Sequence, residues 1–226
     1  HYGKTPPCAE LIVRKGVRRV VVGCIDPFAK VQGRGVAMIR QAGIEVTVGV
    51  LDRECRHLNR RFFTYHEQHR PFILLKWAQT ADGFIDDHGQ AAAISTPFTQ
   101  MLVHRLRSDY QGILVGRVTD EREHPRLDNR LWSGLSPRRY VLGGGKEIPS
   151  LLEKMYADGI QSLMVEGGRK TLQGFLDLGL WDEIRVETSP LTVGDGTPAP
   201  QLPDDAVLTE QGVFDNNKIL WMKRKQ

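Results

Sequence analysis

Apolar and polar positions change period several times along this chain. Val20–Ile25 is a short apolar run of the buried-strand kind, and Ile44–Leu51 is a second. Helical spacing fills the segments around them: Ala9–Arg14, Gly35–Ala42 and a basic amphipathic stretch, Arg53–His66. Gly43 supplies a stop for the middle helix. Helix, strand, helix, strand, helix in so short a span implies a parallel sheet with helices on its faces. His69-Arg70-Pro71 reads as a linker, because proline forces the residue before it to extend. The pattern then restarts. Strands are expected near 72–78, 112–116, 139–142, 161–166, 183–189 and 218–224, and helices near 97–107, 149–157 and 170–178. The expected organisation is two α/β domains, 1–68 and 70–226.

Composition narrows the setting. The fraction of hydrophobic residues (40%) and of charged residues (26%) is that of a globular protein. No apolar run approaches the roughly 20 residues that span a bilayer, and HYGKTPPC has no signal-peptide core; no membrane partner is expected. Cys8, Cys24 and Cys55 have no disulfide-framework spacing, which points to a reducing, cytoplasmic setting. The net charge of +4 is spread among acids, densest at Arg14-Lys15, Arg18-Arg19 and Arg60-Arg61. A basic nucleic-acid-binding module is one reading, but no aromatic-plus-basic motif accompanies these groups. Anionic small molecules such as phosphate esters or dinucleotides account for the charge equally well.

Several segments carry candidate chemistry. In QSLMVEGGRKTLQGFLDL, residues 161–178, a strand ends at Glu166 and turns through Gly167 and Gly168 into a helix. Such a turn aims backbone N–H groups and a positive helix end at one point, where phosphate binds. The carboxylate at the strand tip is either paired or functional; an ordinary strand-to-helix turn accounts for the glycines as well. Lys76 lies within an apolar strand, where an ammonium snorkels out or needs a partner. Asp82-Gly83 is a turn signal. Ser95 or Thr96 would cap a helix with Pro97 at its first position. Arg107, near that helix's end, either satisfies the helix dipole or binds an anion. Ile113–Gly116 is a strand leading into a polar loop that runs to Arg130. Cys8 opens the first helix, as zinc ligands can, but His1, Cys24 and Cys55 lack ligand spacing.

Together these segments resemble the riboflavin-biosynthesis deaminase/reductase family. HYGKTPPC resembles the end of P-C-x-H-x-G-x-T-P-P-C, which makes Cys8 a zinc-ligand position. The pattern's first Cys and its His-Ala-Glu segment would fall before His1. Lys76, Ala78, Asp82 and Gly83 resemble the reductase opening K-x-A-x-S-x-D-G. Gly116, Thr119, Pro125, Leu127 and Arg130 follow G-x-x-T-x-x-x-D-x-P-x-L-x-x-R, with Glu123 in place of Asp. V-E-G-G stands at Val165–Gly168, and Gly179–Glu183, Pro190-Leu191 and Gly194–Gly196 extend the likeness.

The resemblance implies an α/β chain: a partial cytidine-deaminase-like domain followed by a dihydrofolate-reductase-like reductase domain. The implied activity is NADPH-dependent reduction of the ribose of 5-amino-6-(5-phosphoribosylamino)uracil to ribityl. A zinc-dependent pyrimidine deaminase domain would be incomplete here; a reductase with a vestigial deaminase domain is the alternative. The resemblance puts Lys76 and Glu166 at the reacting end, with Asp82 a weaker catalytic candidate. Arg107 and Arg130 would take the substrate phosphate, and Leu127 and Glu166 would contact substrate. Ala78, Thr119, Glu123, Gly167, Gly168, Arg169, Lys170, Thr171 and Gly174 would bind NADPH. The partners implied are a phosphorylated pyrimidine-ribose substrate and a second copy in a homodimer, with no nucleic acid. Two departures stand out. Ala91–Ala93 replaces polar residues and an aromatic, and Gly143–Glu147 replaces a longer segment on the cofactor side.

Overall fold

The computed structural model describes residues 7–28, 33–143 and 147–225. They fall into two compact units, His1–His69 and Arg70–Gln226. The first contains α1 (Cys8–Lys15), β1 (Arg19–Val22), α2 (Arg34–Gln41), β2 (Glu45–Val48), α3 (Asp52–Leu58) and α4 (Arg60–Gln68). β1 and β2 pair in parallel, from Arg19 opposite Glu45 to Val22 opposite Val48. The first strand stops short of the expected Ile25. Gly49 turns the neighbouring chain away at φ +90°, and the N–H groups of Gly49 and Val50 both close on the Val22 carbonyl. The single helix expected over 53–66 is two helices. Asn59, between them, sits at φ −102°, ψ 20°, and its side-chain amide donates to the Cys55 carbonyl at 2.9 Å. That competition for backbone acceptors is why Asn is a poor helix-interior residue. Among the described residues of this unit, Ala9, Ile39, Phe63 and Thr64 are buried, while Leu51 and Leu58 are exposed.

The second unit contains β3 (Phe72–Gln79), α5 (Pro97–Ser108), β4 (Gly112–Gly116), α6 (Arg117–Glu123), β5 (Arg138–Leu142), α7 (Ile148–Ala157), β6 (Ser162–Val165), α8 (Arg169–Asp177), β7 (Glu183–Thr188), β8 (Ala206–Phe214) and β9 (Asn217–Arg224). They build a seven-stranded sheet of order β5-β4-β6-β3-β7-β9-β8. The first five strands are parallel; β9 runs antiparallel to β7, and β8 antiparallel to β9. Residues of β3 alternate between two apolar layers. Ile73, Leu75 and Trp77 pack with Leu152, Met155, Leu172 and Phe175 of α7 and α8. Phe72 and Leu74 pack with Val103 of α5, Tyr110 and Met164. Lys76 therefore points to the α5 side.

Two elements depart from the pattern-based expectation. The polar segment after Gly116 begins with a helix, α6, whose residues carry no apolar stripe and are not buried. An exposed Arg117–Glu121 pair one turn apart supports it. β8 is exposed along most of its length, so it lacks the alternation of a half-buried strand. Its signal is the turn that follows: Asp215 and Asn216 both adopt positive φ, the geometry of a two-residue hairpin. No helix among the described residues is long and apolar enough to cross a membrane.

The start of β3 is tied to β7 by a charged clamp. Asp182 accepts from Arg70 Nη1 and Nη2 at 2.6 and 2.8 Å and from the Ile73 N–H at 2.7 Å. Charge-assisted bonds in such a fork are the stronger kind. Asp182→Ala is expected to cost about 2–3 kcal/mol, read as a lower urea midpoint with an unchanged slope.

Candidate active site

Glu166 leaves the end of β6 with its N–H bonded to the Leu114 carbonyl of β4 at 2.9 Å. Its carboxylate is buried with two cations. Arg107, in the last turn of α5, donates from Nε to Oε1 and from Nη2 to Oε2, each at 2.8 Å. Arg107 Nη1 donates to the Asp128 carbonyl at 2.9 Å. Lys76 Nζ lies 3.7 Å from Glu166 Oε2. Helix α5 is set for this by its start: Thr96 Oγ1 accepts from the Thr99 N–H, and Pro97 opens the first turn.

The electrostatics of the pair are asymmetric. Burial works against the Glu166 carboxylate, but Lys76 and the Arg107 hydrogen bonds overcome it and hold its pKa at about 2. Burial also pulls the Lys76 ammonium below the usual lysine value. Glu166 opposes that fall, while Arg185 and Arg107 add to it. One carboxylate shared by two cations gains from both, whereas each cation has only a share of it. His104, one turn before Arg107, is buried, and burial together with Arg107 and Arg130 keeps it below the ordinary histidine value. Both effects favour its neutral form.

A cleft of about 310 Å³ opens against this cluster. Lys76, Ala78, Thr119, Glu123, Glu166, Gly167 and Gly168 line it, as do Ala92, Ala93, Ile94, Ser95 and Gln100. The Glu-Gly-Gly turn is fixed by the Gly168 N–H, which donates to Thr119 Oγ1 at 3.1 Å. There is no room for side chains at the glycines. A Cβ on Gly167 would lie 2.8 Å from Thr171 Cβ and 3.2 Å from the Gly116 nitrogen. Gly167→Ala is expected to destabilise by about 1–3 kcal/mol through overpacking, measured by urea unfolding. α8 then starts with no side-chain cap, and Arg169, Lys170 and Gly174 line a second, adjacent hollow.

Other sequence-selected residues sit apart from the cleft. Asp82 accepts from Thr80 Oγ1 at 2.6 Å and from the Val193 and Gly194 N–H groups at 3.1 and 2.8 Å. The Thr80 bond first, and then that of Gly194, hold its carboxyl below the usual value. It clamps a turn. Leu127 is buried at positive φ against Ile113 and Val115. Arg130 is half exposed and pairs with Asp128 at 2.6 Å. Thr171 packs under the glycine turn. Cys8 is exposed at the start of α1, and no group of three or more His, Cys, Asp or Glu among the described residues could hold a metal ion. His1 lies outside them. Ile94, Ser95 and Gln100 line the cleft without having been singled out for it; the helix-cap reading of Ser95-Thr96 was the signal that placed this segment at a helix start.

A mostly parallel sheet ending in two antiparallel strands, with a charged cleft where strands β3, β4 and β6 end, gives this unit a mixed α/β fold whose central sheet resembles that of dihydrofolate-reductase-like reductases. A model of the RibD C-terminal domain matches residues 71–150 and 145–214, two pieces that overlap at 145–150. The riboflavin biosynthesis protein RibD of Aquifex aeolicus is 35% identical over 241 residues, covering 87% of this chain and 68% of that protein. The RibD of Synechocystis is 34% identical, covering 85% of this chain and 54% of its own length. A crystal structure of a diaminohydroxyphosphoribosylaminopyrimidine deaminase/5-amino-6-(5-phosphoribosylamino)uracil reductase from Thermotoga maritima matches with a TM-score of 0.88 at 31% identity, over 99% of this chain and 76% of that one. The chain belongs to the RibD family of riboflavin biosynthesis proteins, and its second unit is the reductase-type domain of that family.

Proposed function

We propose that the second unit reduces the ribose of 5-amino-6-(5-phosphoribosylamino)uracil to ribityl with NADPH. The observation that carries this reading is the buried Lys76–Glu166–Arg107 cluster, whose Lys76 and Glu166 line one cleft together with the Gly167–Gly168 turn. The turn suits a dinucleotide: its glycines admit close backbone approach, and α8 presents an uncapped N-terminus flanked by Arg169 and Lys170. Ala78, Thr119 and Glu123 would hold the nicotinamide side. NADPH, when bound, supplies the hydride that C1′ of the substrate accepts. Lys76 Nζ gives a proton to the ring oxygen as the bond between it and C1′ breaks, so hydride and proton are both accounted for, and Lys76 is reprotonated from water. Glu166 stays ionised and orients Lys76, and Arg107 fixes Glu166. Arg130, half exposed and paired with Asp128, whose carbonyl accepts from Arg107, serves the substrate phosphate.

The first unit is, on the same reading, the C-terminal part of a cytidine-deaminase-like domain with Cys8 at a zinc-ligand position. Among the described residues Cys8 belongs to no group of three or more possible metal ligands, and the reductase steps above make no use of zinc. The exposed edge strand β8 is where a second copy would pair to form a homodimer. The test is a fluorescence titration with NADPH, followed by NADPH oxidation at 340 nm with and without the phosphoribosylaminouracil. Binding and substrate-dependent oxidation are expected. Absence of both, with salt-sensitive binding of RNA instead, would replace the reductase with a nucleic-acid module.

A further inference from the structure

Next to Lys76 lies a buried ion pair for which the reductase chemistry above has no use. On β7, Arg185 is in register with Lys76, and Glu187 with Ala78. Arg185 is 2% exposed and Glu187 is fully buried. Their closest approach, Arg185 Nη1 to Glu187 Oε2, is 3.6 Å, longer than a hydrogen bond. Both Arg185 Nη atoms and Glu187 Oε2 lack any hydrogen-bond partner. The other carboxylate oxygen accepts from Asn217 Nδ2 at 2.7 Å, and the same amide group donates to the Ile94 carbonyl at 2.9 Å. Ile94 walls the cleft. A buried pair this poorly bonded is no gain over apolar side chains of the same size, so stability alone does not account for it.

Its position does. Side chains in register on neighbouring strands stand side by side, and like charges so placed repel. The charged groups facing Lys76 are Arg107 from α5, Glu166 beyond β6, and Arg185 and Glu187 from β7. Lys76 therefore has a cation on its β7 side and a carboxylate on its β6 side. We propose that Arg185 is a positioning residue of this site: buried beside Glu187, whose charge offsets its own, it drives the Lys76 ammonium toward Glu166 and the cleft, where Lys76 serves as proton donor. The Glu187–Asn217–Ile94 chain holds the cleft wall in place around it. The inference rests on the reading of Lys76 as the donor, but its test does not require turnover.

The test follows Lys76 by NMR of protein carrying ¹³Cε-labelled lysine, with the Lys76 signal assigned by its loss in Lys76→Met. Removing the like charge in Arg185→Met is expected to raise the Lys76 titration midpoint by about one pH unit. Arg185→Lys, which keeps the charge, should stay near wild type. If Arg185→Met does not fold, the charge-balanced double variant Arg185→Met/Glu187→Gln should show a smaller shift in the same direction. In active protein the alkaline limb of kcat/KM moves the same way, which a merely structural role would not produce. An unmoved midpoint in the foldable variant, or an equal shift in Arg185→Lys, overturns the proposal. A wild type that binds no NADPH would count against the reductase reading while leaving the Lys76 result to decide this one.

Discussion

Glu166→Gln is expected to destabilise the reductase unit by about 3–5 kcal/mol at neutral pH. Three buried or nearly buried cations, Lys76, Arg107 and Arg185, face two carboxylates, Glu166 and Glu187. Losing the Glu166 charge leaves three cations against one carboxylate, and Arg107 loses one bond of its fork, because the glutamine amide offers a single oxygen where the carboxylate offered two. The acid side provides an independent check. The fall of the Glu166 pKa from 4.5 to about 2 corresponds to about 3 kcal/mol of linked stability. Because the folded pKa is depressed, that stability is fully present above pH 4.5 and is lost as the pH falls toward 2. Urea unfolding at pH 7 should separate wild type from the variant widely, and the gap should narrow at pH 3. Turnover of the folded variant should drop roughly 10²–10³-fold, as expected when a charge that orients a proton donor is removed. Equal stability of the two proteins at pH 7 would mean that Glu166 does not hold this cluster together.

The residues of this cluster were not equally legible. Lys76 and Glu166 declare themselves, because each is a charge interrupting or ending an apolar strand. Arg107 is visible only as a helix-end arginine; its partner is 59 residues away, and no local pattern encodes that. Arg185 and Glu187 lie in EIRVET, whose alternation reads as a strand with one polar face toward solvent. In the fold that face is covered: Trp221 stacks near Arg185 at 6.0 Å, and Asn217 joins Glu187 to the Ile94 carbonyl. Whether a sheet's second face is covered depends on tertiary packing, which a period of two cannot report. The same limit hid β8, which is exposed on both faces, and α6, which has no apolar stripe. Strands β3, β4 and β6 were legible because both of their faces are largely buried, so their runs are almost wholly apolar. Asp82 was ambiguous for a different reason: Asp-Gly suits a turn and a carboxylate suits a site, and the hydrogen bonds to Val193 and Gly194 show where its oxygens are engaged.

Lys76→Met should do the opposite of Glu166→Gln to stability while harming function at least as much. Removing one cation leaves two, Arg107 and Arg185, against two carboxylates, and Arg107 keeps its fork on Glu166. Methionine is close to lysine in length and is adaptable in packing. Burial, with Arg185 and Arg107, sets the Lys76 pKa below its ordinary 10.5; its charge is therefore a burden on the folded state. The sign follows from proton uptake. Below the folded pKa of Lys76 the unfolded chain holds its proton more tightly, and that penalty on wild type is relieved as the pH rises toward 10.5. The methionine variant carries no such penalty. It should match or exceed wild type in urea unfolding at pH 7, to within about 1 kcal/mol or better, and that advantage should fade near pH 10. Turnover should fall about 10²–10⁴-fold, the range for loss of a general acid, while NADPH still binds because the glycine turn and the α8 N-terminus are untouched. A methionine variant that unfolds as readily as Glu166→Gln would show that Lys76 is there to pair with Glu166. One that stays stable and inactive would show that the fold tolerates an uncomfortable ammonium for the sake of its proton.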